Sequence, residues 1–298
     1  MGTSRDKTTG QHFYTIRDFD RDFPTDEACL DWLRDFLYPA GIYCKICKKT
    51  TKHHRIKNRM SYSCDYCGHH EHPMSGTIFQ DTRTPLRSWF HAVFLMASTR
   101  GGISAKQLQR EIGVTYKTAW RMFRLIRSLL EENTGSLGGQ VEVDEAYIGG
   151  KRRGQRTGRP GKDSNKTPVL GIVQCGGKVA ALVTPDVSRA TVMPIIEAKV
   201  LPRSMIYTDD YKVYNPLSDK GYGHRRIAHS EKVYVMGDVH TNTIEGFWSL
   251  LKNGIRGVYH SVSSRHLQSY INEYTFRYNH RSDEVPMFAS MIGRVSKA

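Results

Sequence analysis

Residues 241–252 read TNTIEGFWSLLK, and this stretch decides the fold when it is set beside two aspartates far upstream. Asp144 lies in VEVDEAYIGG and Asp209 in MIYTDD, so each follows a short apolar run that predicts a β-strand. Glu245 and Lys252 are seven positions apart, almost two helical turns, and therefore share one helix face. Two strands and a helix are thus expected to present three carboxylates and one ammonium group to a single site.

The three carboxylates suit magnesium. Mg²⁺ prefers hard oxygen ligands and octahedral geometry completed by water and phosphate oxygens, so Asp144, Asp209 and Glu245 can hold two such ions. Ions held this way activate water, or a DNA 3′-hydroxyl, against a phosphodiester. Two strand donors and one helix donor are the arrangement of an RNase H-like nuclease core, a mixed sheet flanked by helices. The expected chemistry is therefore cleavage and joining of DNA.

Neighbouring acids compete for the strand positions. Alternation along a strand points Glu145 to the face opposite Asp144, and Asp210 opposite Asp209 if that strand persists. Glu142 shares the face of Asp144, about 7 Å back along the strand, so alternation does not exclude it.

Asn242 is an alternative to Glu245 as the helix-borne residue of the site. Asn242 lies one turn before Glu245, where it could orient a ligand or contact DNA. The spacing to Lys252 favours Glu245. In the same helix Ile244, Trp248 and Leu251 form an apolar stripe, which makes Trp248 a core residue rather than a base-stacking one.

The net charge of the chain indicates the kind of partner that it binds. The formal net charge is +15 and the pI is near 9.6, which favours nucleic acid because Lys and Arg neutralise phosphates and release counterions. Residues 41–70 and 151–166 each hold seven basic residues against one acid, and residues 101–130 hold six against one. No signal peptide and no run of about eighteen apolar residues is present, so we expect an intracellular chain without a membrane segment.

Four of the six cysteines form two CxxC pairs, Cys44-Lys-Ile-Cys47 and Cys64-Asp-Tyr-Cys67, with sixteen residues between the pairs. Zn²⁺ takes four tetrahedral thiolates, and each CxxC turn presents two of them. Because thiols stay reduced inside cells, the pairs favour a metal over disulfides. We expect a zinc ribbon with one structural Zn²⁺.

Residues 103–131 carry helical periodicity that breaks at Gly113. The spacing predicts two short helices joined by a tight turn, which is typical of a helix-turn-helix. The second helix would expose Lys117, Arg121 and Arg124 towards DNA. A plain helical hairpin that packs a core is the alternative interpretation.

These modules predict a multidomain α/β protein. The Gly-rich stretch NTGSLGG, residues 133–139, marks the clearest boundary. The predicted order is an N-terminal arm and helix, a zinc ribbon, a helix-turn-helix region and an RNase H-like domain with a basic loop at 149–167. The corresponding ranges are 1–40, 41–80, 81–133 and 134–298.

The chain resembles the DDE transposases of bacterial insertion sequences, specifically the ISXO-like group related to eukaryotic Merlin elements. The matching motifs, over about residues 24–282, are CKIC…CDYC, the helix-turn-helix, VEVDEAYIGGKRRG, IYTDDYKVY, HTNTIEGFWSLLKNGIRGVYH and YTFRYNHR. The resemblance implies an RNase H-like catalytic domain, dependence on Mg²⁺ or Mn²⁺, and recognition of terminal inverted repeats by a multimer.

The resemblance also assigns roles. It makes Asp144 and Asp209 the first two metal ligands and Glu245 the third, and it prefers Asp144 to Glu142. Lys252 would contact DNA near the scissile phosphate.

Further expectations concern the partners. In the basic loop, Lys151, Arg152 and Arg153 would follow a phosphate strand. The expected partners are double-stranded terminal repeats and target DNA, bound by a homo-oligomer in the bacterial cytoplasm at the nucleoid.

Two other classes of function stay open from the sequence. A zinc-ribbon and helix-turn-helix regulator would bind DNA without cutting it, as a domesticated transposase does. A structure-specific nuclease would cut DNA without strand transfer.

Overall fold

The structure is a computed structural model that describes residues 4–5, 12–149, 166–227 and 242–297. The chain divides into two compact units, Met1–Leu129 with Ser282–Ala298, and Leu130–Arg281. The sequence places residues 282–298 in the catalytic domain, whereas the structure groups them with the N-terminal unit. Within the described ranges, none of the helices has the length and apolar character needed to cross a membrane.

Helices and strands occur in both compact units. The described helices are α1 (Ile16–Asp22), α2 (Asp26–Leu37), α3 (Leu86–Ser98), α4 (Ala105–Ile112), α5 (Tyr116–Ser128), α6 (Arg189–Lys199), α7 (Asn242–Gly254), α8 (Ser264–Asn279) and α9 (Met287–Ile292). The described strands are β1 (Ser4–Arg5), β2 (His12–Phe13), β3 (Tyr43–Cys44), β4 (Lys49–Thr50), β5 (His53–Arg55), β6 (Tyr62–Cys64), β7 (His70–Glu71), β8 (Gln140–Ile148), β9 (Thr167–Gln174), β10 (Val179–Val183), β11 (Met205–Thr208) and β12 (Gly223–Arg226).

An aromatic cluster forms the core of the N-terminal unit. Phe288 of α9 stacks on Tyr14 with ring centroids 4.7 Å apart, and it also contacts Phe19, Phe23 and Phe94. Offset and edge-to-face aromatic pairs of this kind add to the stabilisation from burial. The C-terminal helix α9 is therefore part of this core.

Short antiparallel pairs build the predicted zinc ribbon. Strand β3 pairs with β4, and β5, β6 and β7 form a second small sheet. Each strand is only two or three residues long, too short to be stable alone.

Two helices follow the predicted helix-turn-helix pattern. Ser104 caps α4, and Thr115 caps α5 by accepting a hydrogen bond from the Thr118 amide. Gly113 ends α4 with a φ of 70°, a left-handed conformation that glycine adopts without strain.

A five-stranded sheet organises the second unit in the order β10-β9-β8-β11-β12. Strands β8, β9 and β10 run antiparallel, whereas β11 pairs parallel with both β8 and β12. Helix α6 covers one face and helices α7 and α8 cover the other. This mixed sheet between helices confirms the predicted RNase H-like fold.

Strand alternation assigns the side chains of β8 to the two faces. Val141 and Val143 belong to the cluster that contains α6, and Ala146 and Ile148 belong to the cluster that contains α7 and α8. Even-numbered residues of β8 thus face α7. Asp144 lies on this strand, and Asp209 directly follows its neighbour β11.

Candidate functional site

The four predicted zinc ligands converge. The sulfur atoms of Cys44, Cys47, Cys64 and Cys67 all lie within 4.8 Å of one another. Tetrahedral zinc–sulfur bonds of about 2.3 Å require sulfur atoms roughly 3.8 Å apart. The Cys44–Cys67 and Cys47–Cys64 separations of 3.5 Å and 3.9 Å bracket this value. The cysteines therefore fit a structural zinc ion.

Two hydrogen-bond contacts are made to these sulfur atoms. The Cys47 amide lies 3.4 Å from the Cys44 sulfur, and the Thr51 hydroxyl lies 3.2 Å from the Cys64 sulfur. The contact with Thr51 holds the pKa of Cys64 below that of an ordinary thiol. Zinc binds the thiolate form, so this contact favours binding at Cys64, whereas the hydrogen bond with Cys67 raises the pKa of Cys47, whose thiol must lose its proton to bind the ion.

Strand β8 carries the first acidic group. Asp144 is half-buried, and its Oδ2 accepts a hydrogen bond of 2.9 Å from the indole Nε1 of Trp248 in α7. Trp248 is only 3% exposed. The sequence predicted that Trp248 is a core residue, which its burial confirms, but its polar contact with Asp144 was not foreseen.

Glu142 has a structural role in this unit. Its side chain is completely buried, and its Oε2 accepts a 2.8 Å hydrogen bond from the Ile244 amide at the start of α7. The Cys175 thiol lies 3.4 Å from its Oε1. A carboxylate at a helix N-terminus satisfies a backbone donor and complements the helix dipole. Glu142 therefore anchors α7 beneath its first turn.

Glu145 lies on the face opposite Asp144, as alternation predicts. Its Oε2 accepts a 2.7 Å hydrogen bond from the hydroxyl of Tyr214, which belongs to the core beneath α6. Burial and the nearby Cys175 contact separate Glu142 from solvent. Of the acids on β8, Asp144 is thus the partly accessible one on the α7 face.

Asp209 follows β11 directly. Parallel pairing places Tyr207 level with Glu142. Extending this register by two residues, past the end of β11, would bring Asp209 level with Asp144. Adjacent strands lie about 4.8 Å apart. The Asp209 carboxylate accepts a 3.0 Å hydrogen bond from the Tyr211 amide, which orients it at the end of the strand.

Glu245 and Lys252 both lie on α7. Glu245 is exposed in the first turn, Lys252 is half-buried in the last, and Asn242 is the first residue of the helix. None of the three predicted acids belongs to a gathered ligand group: among the residues that the structure describes, only the four cysteines are close enough together to hold an ion.

Helix α5 presents a basic, partly aromatic face. Lys117, Arg121 and Arg124 are exposed, as predicted. The Arg124 guanidinium lies 5.8 Å from the ring centroid of Trp120, a cation–π distance. Residues Lys151, Arg152 and Arg153 of the predicted basic loop lie outside the described residues.

A four-cysteine ribbon followed by an RNase H-like unit is the arrangement that the sequence motifs predicted for the transposase class of proteins. The ISXO2-like transposase domain family matches residues 136–279, and the transposase zinc-ribbon domain family matches residues 24–70. The chain belongs to the ISXO2-like transposase family, as the sequence motifs predicted.

Several known proteins are similar to the chain. An uncharacterized transposase-like protein of Haemophilus influenzae is 33% identical over 40% of this chain and 94% of the relative. An uncharacterized protein in transposable element ISH50 of Halobacterium salinarum is 25% identical over 86% of this chain and 91% of the relative. The crystal structure of the Mos1 strand transfer complex is a remote match, with 12% identity, a TM-score of 0.32 and coverage of 69% of this chain and 75% of that one.

Proposed function

We propose that the chain cleaves DNA at the ends of an insertion sequence and joins the freed 3′-hydroxyl to target DNA. The observation that carries this proposal is the parallel register of β8 and β11, which pairs Tyr207 with Glu142 and, extended by two residues, would bring Asp209 level with Asp144. Family membership supplies the context in which a pair of strand-borne carboxylates serves DNA transposition.

The donor chemistry fits divalent metal ions. Asp144 offers carboxylate oxygens on β8, Asp209 offers them directly after the adjacent β11, and Glu245 offers a third group from the accessible side of α7. Such hard oxygen donors suit Mg²⁺ or Mn²⁺. When bound, two ions would supply activation of water or of a 3′-hydroxyl and stabilisation of the leaving oxygen.

The protein residues have separate tasks in this proposal. Asp144 on β8 and Asp209 directly after β11 would hold the reacting centre, because strands give carboxylates a rigid support. Lys252 shares the helix face of Glu245 and would neutralise a phosphate beside the scissile bond. Direct in-line displacement requires no covalent protein intermediate.

DNA binding is assigned to the N-terminal unit. The exposed Lys117, Arg121 and Arg124 on α5 suit contact with the terminal inverted repeats. The loop residues Lys151, Arg152 and Arg153 would hold a phosphate strand beside the acids. A homo-oligomer assembled on paired ends, in the cytoplasm at the nucleoid, completes the proposal.

Replacing Asp209 by Asn tests the catalytic assignment. Asp209→Asn should abolish metal-dependent nicking of the element's ends, because the amide lacks the charge that holds the cation, while gel-shift binding of those ends is unchanged. Asp210→Asn, which alters the exposed neighbour, is the matched control and should nick normally. Nicking by Asp209→Asn at the wild-type rate would refute the assignment.

Product analysis separates the alternatives. Wild-type protein incubated with labelled ends and a target plasmid should give joined products. Cut ends without joined products would indicate a structure-specific nuclease. Binding without metal-dependent cutting would indicate a regulator that has lost activity.

A further inference from the structure

One contact beside the proposed catalytic centre connects the hydrophobic core to a candidate metal ligand. The indole Nε1 of Trp248 donates a 2.9 Å hydrogen bond to Oδ2 of Asp144, and the indole is 3% exposed. A buried indole N–H needs an acceptor, and a carboxylate is a strong one. The rotamer of Asp144 is thus coupled to a side chain that packing holds in place.

The neighbouring strand β9 leaves space for this indole at Gly171. Gly171 of β9 pairs with Asp144, and a Cβ built on Gly171 would lie 2.5 Å from Cζ2 of Trp248 and 2.8 Å from Cδ1 of Ile244. Real Cβ contacts are essentially never that short. The absence of a side chain at position 171 therefore lets α7 approach closely enough for the indole to reach Asp144.

A second contact fixes the helix along the same strand. Ile244 donates its amide to the buried Glu142, one turn before Trp248 reaches Asp144. Two consecutive inward-facing carboxylates of β8 thus receive donors from two consecutive turns of α7. This pairing fixes the helix in both rotation and translation relative to the strand.

We propose that Trp248 is a positioning residue that orients the Asp144 carboxylate for divalent metal binding. The inference rests on the proposed function and adds a residue to it. A neutral indole suits this task because it orients an oxygen without cancelling the negative charge that attracts a cation. Outer hydrogen bonds to metal-ligating carboxylates typically contribute about ten- to a hundredfold in metal affinity.

The test removes the N–H and keeps the shape. Benzothienylalanine at position 248 replaces the indole nitrogen by sulfur with nearly the same volume, and Trp248→Phe is the genetically simpler variant. Trp89→Phe is the matched control, because Trp89 is equally buried and its Nε1 donates a 3.0 Å hydrogen bond to Thr82. Mn²⁺ binding to the full-length zinc-loaded chain is measured by electron paramagnetic resonance of free Mn²⁺.

We expect Mn²⁺ affinity to fall about ten- to a hundredfold in both position-248 variants and to stay unchanged in Trp89→Phe. In an Asp144→Asn background, loss of the indole N–H should cause no further fall, because the effect acts through Asp144. A purely structural role would lower the melting temperature and leave the Mn²⁺ affinity of the benzothienylalanine variant unchanged, and that result would overturn the proposal.

The same Mn²⁺ titration distinguishes failure of the proposed function from failure of the role proposed for Trp248. If wild type and Asp144→Asn bind Mn²⁺ equally, Asp144 is not a metal ligand and the proposed function fails. If Asp144→Asn binds more weakly while the benzothienylalanine variant matches wild type, the proposed function stands and the role of Trp248 is wrong.

Discussion

The four cysteines that fit a zinc ion and the three acids of the proposed catalytic site lie in different structural settings. The four sulfur ligands come from two tight turns within Cys44–Cys67 and already lie within 4.8 Å of one another. The acidic residues come from β8, the end of β11 and α7, and the structure does not gather them to that degree. One site is built by local hairpins and the other by the packing of a whole unit.

This difference shows where each site is vulnerable. The zinc ribbon has strands of two or three residues, so its ligands and its fold depend on one another. The proposed acidic site instead depends on the register of the long-range pair β8–β11 and on two hydrogen bonds that fix α7 over β8. A change far from any ligand can therefore disturb the acidic site.

The largest expected effect comes from breaking the zinc centre. Cys64→Ser should lose its zinc and unfold the ribbon, because structural zinc sites contribute roughly 10–16 kcal/mol of apparent binding energy at neutral pH. Zinc content by mass spectrometry and protease cleavage within residues 41–71 measure both effects.

Cys29→Ser is the control for this experiment, since Cys29 is buried away from the four-cysteine group. It should retain one zinc ion per chain. Full zinc content in Cys64→Ser would contradict the assignment of that residue as a ligand.

A smaller effect is expected where α7 packs on the sheet. Gly171→Ala places a methyl group against Trp248 and Ile244, and overpacking of this kind costs about 1–3 kcal/mol. The free energy of unfolding, from urea denaturation, measures the loss, and the zinc content should not change.

Gly246→Ala is the matched substitution on α7 itself. A Cβ at Gly246 meets no atom within 4 Å, so replacing glycine in this helix should stabilise the protein by about 0.5–1 kcal/mol. Equal destabilisation by both substitutions would show that close packing at Gly171 is not the cause.

The smallest effect concerns pH. His224 Nε2 lies 2.9 Å from the hydroxyl of Thr208, the residue before Asp209, and burial followed by the charge of Arg226 lowers the pKa of His224 below its usual 6.5. The unfolded chain then binds this proton more readily than the folded chain. The contribution of His224 to the free energy of unfolding is therefore fully present above pH 6.5, and it is lost as the pH falls below this value.

The melting temperature should therefore fall between pH 6.5 and 5 by less in His224→Asn than in wild type. His72→Asn, which changes an exposed histidine, should follow the wild-type curve. Parallel curves for wild type and His224→Asn would exclude a contribution from His224.

Sequence patterns predicted the elements that have strong local signals. The strand β8, the end of α4 at Gly113 and the grouping of the four CxxC cysteines were each predicted from residues close together in the chain. The structure confirms all three. Helix α1 and the turn of 3₁₀ helix at Lys212–Leu217 were not predicted, because short helices depend on tertiary packing more than on propensity.

The roles of individual acids could be predicted only in part. Alternation correctly separated Glu145 from Asp144, but it could not tell Glu142 from Asp144 because both share one face. In the structure, Glu142 accepts a hydrogen bond from the Ile244 amide and Asp144 accepts one from the Trp248 indole. Both donors lie about a hundred positions away in the sequence. No local pattern encodes such contacts.

The place of α9 has a consequence for biosynthesis. Phe288 completes the aromatic core around Tyr14, Phe19 and Phe94, yet it is translated after the entire second unit. The aromatic core of the first unit therefore cannot be complete until α9 has been synthesised, so this core depends on sequence from both sides of the second unit.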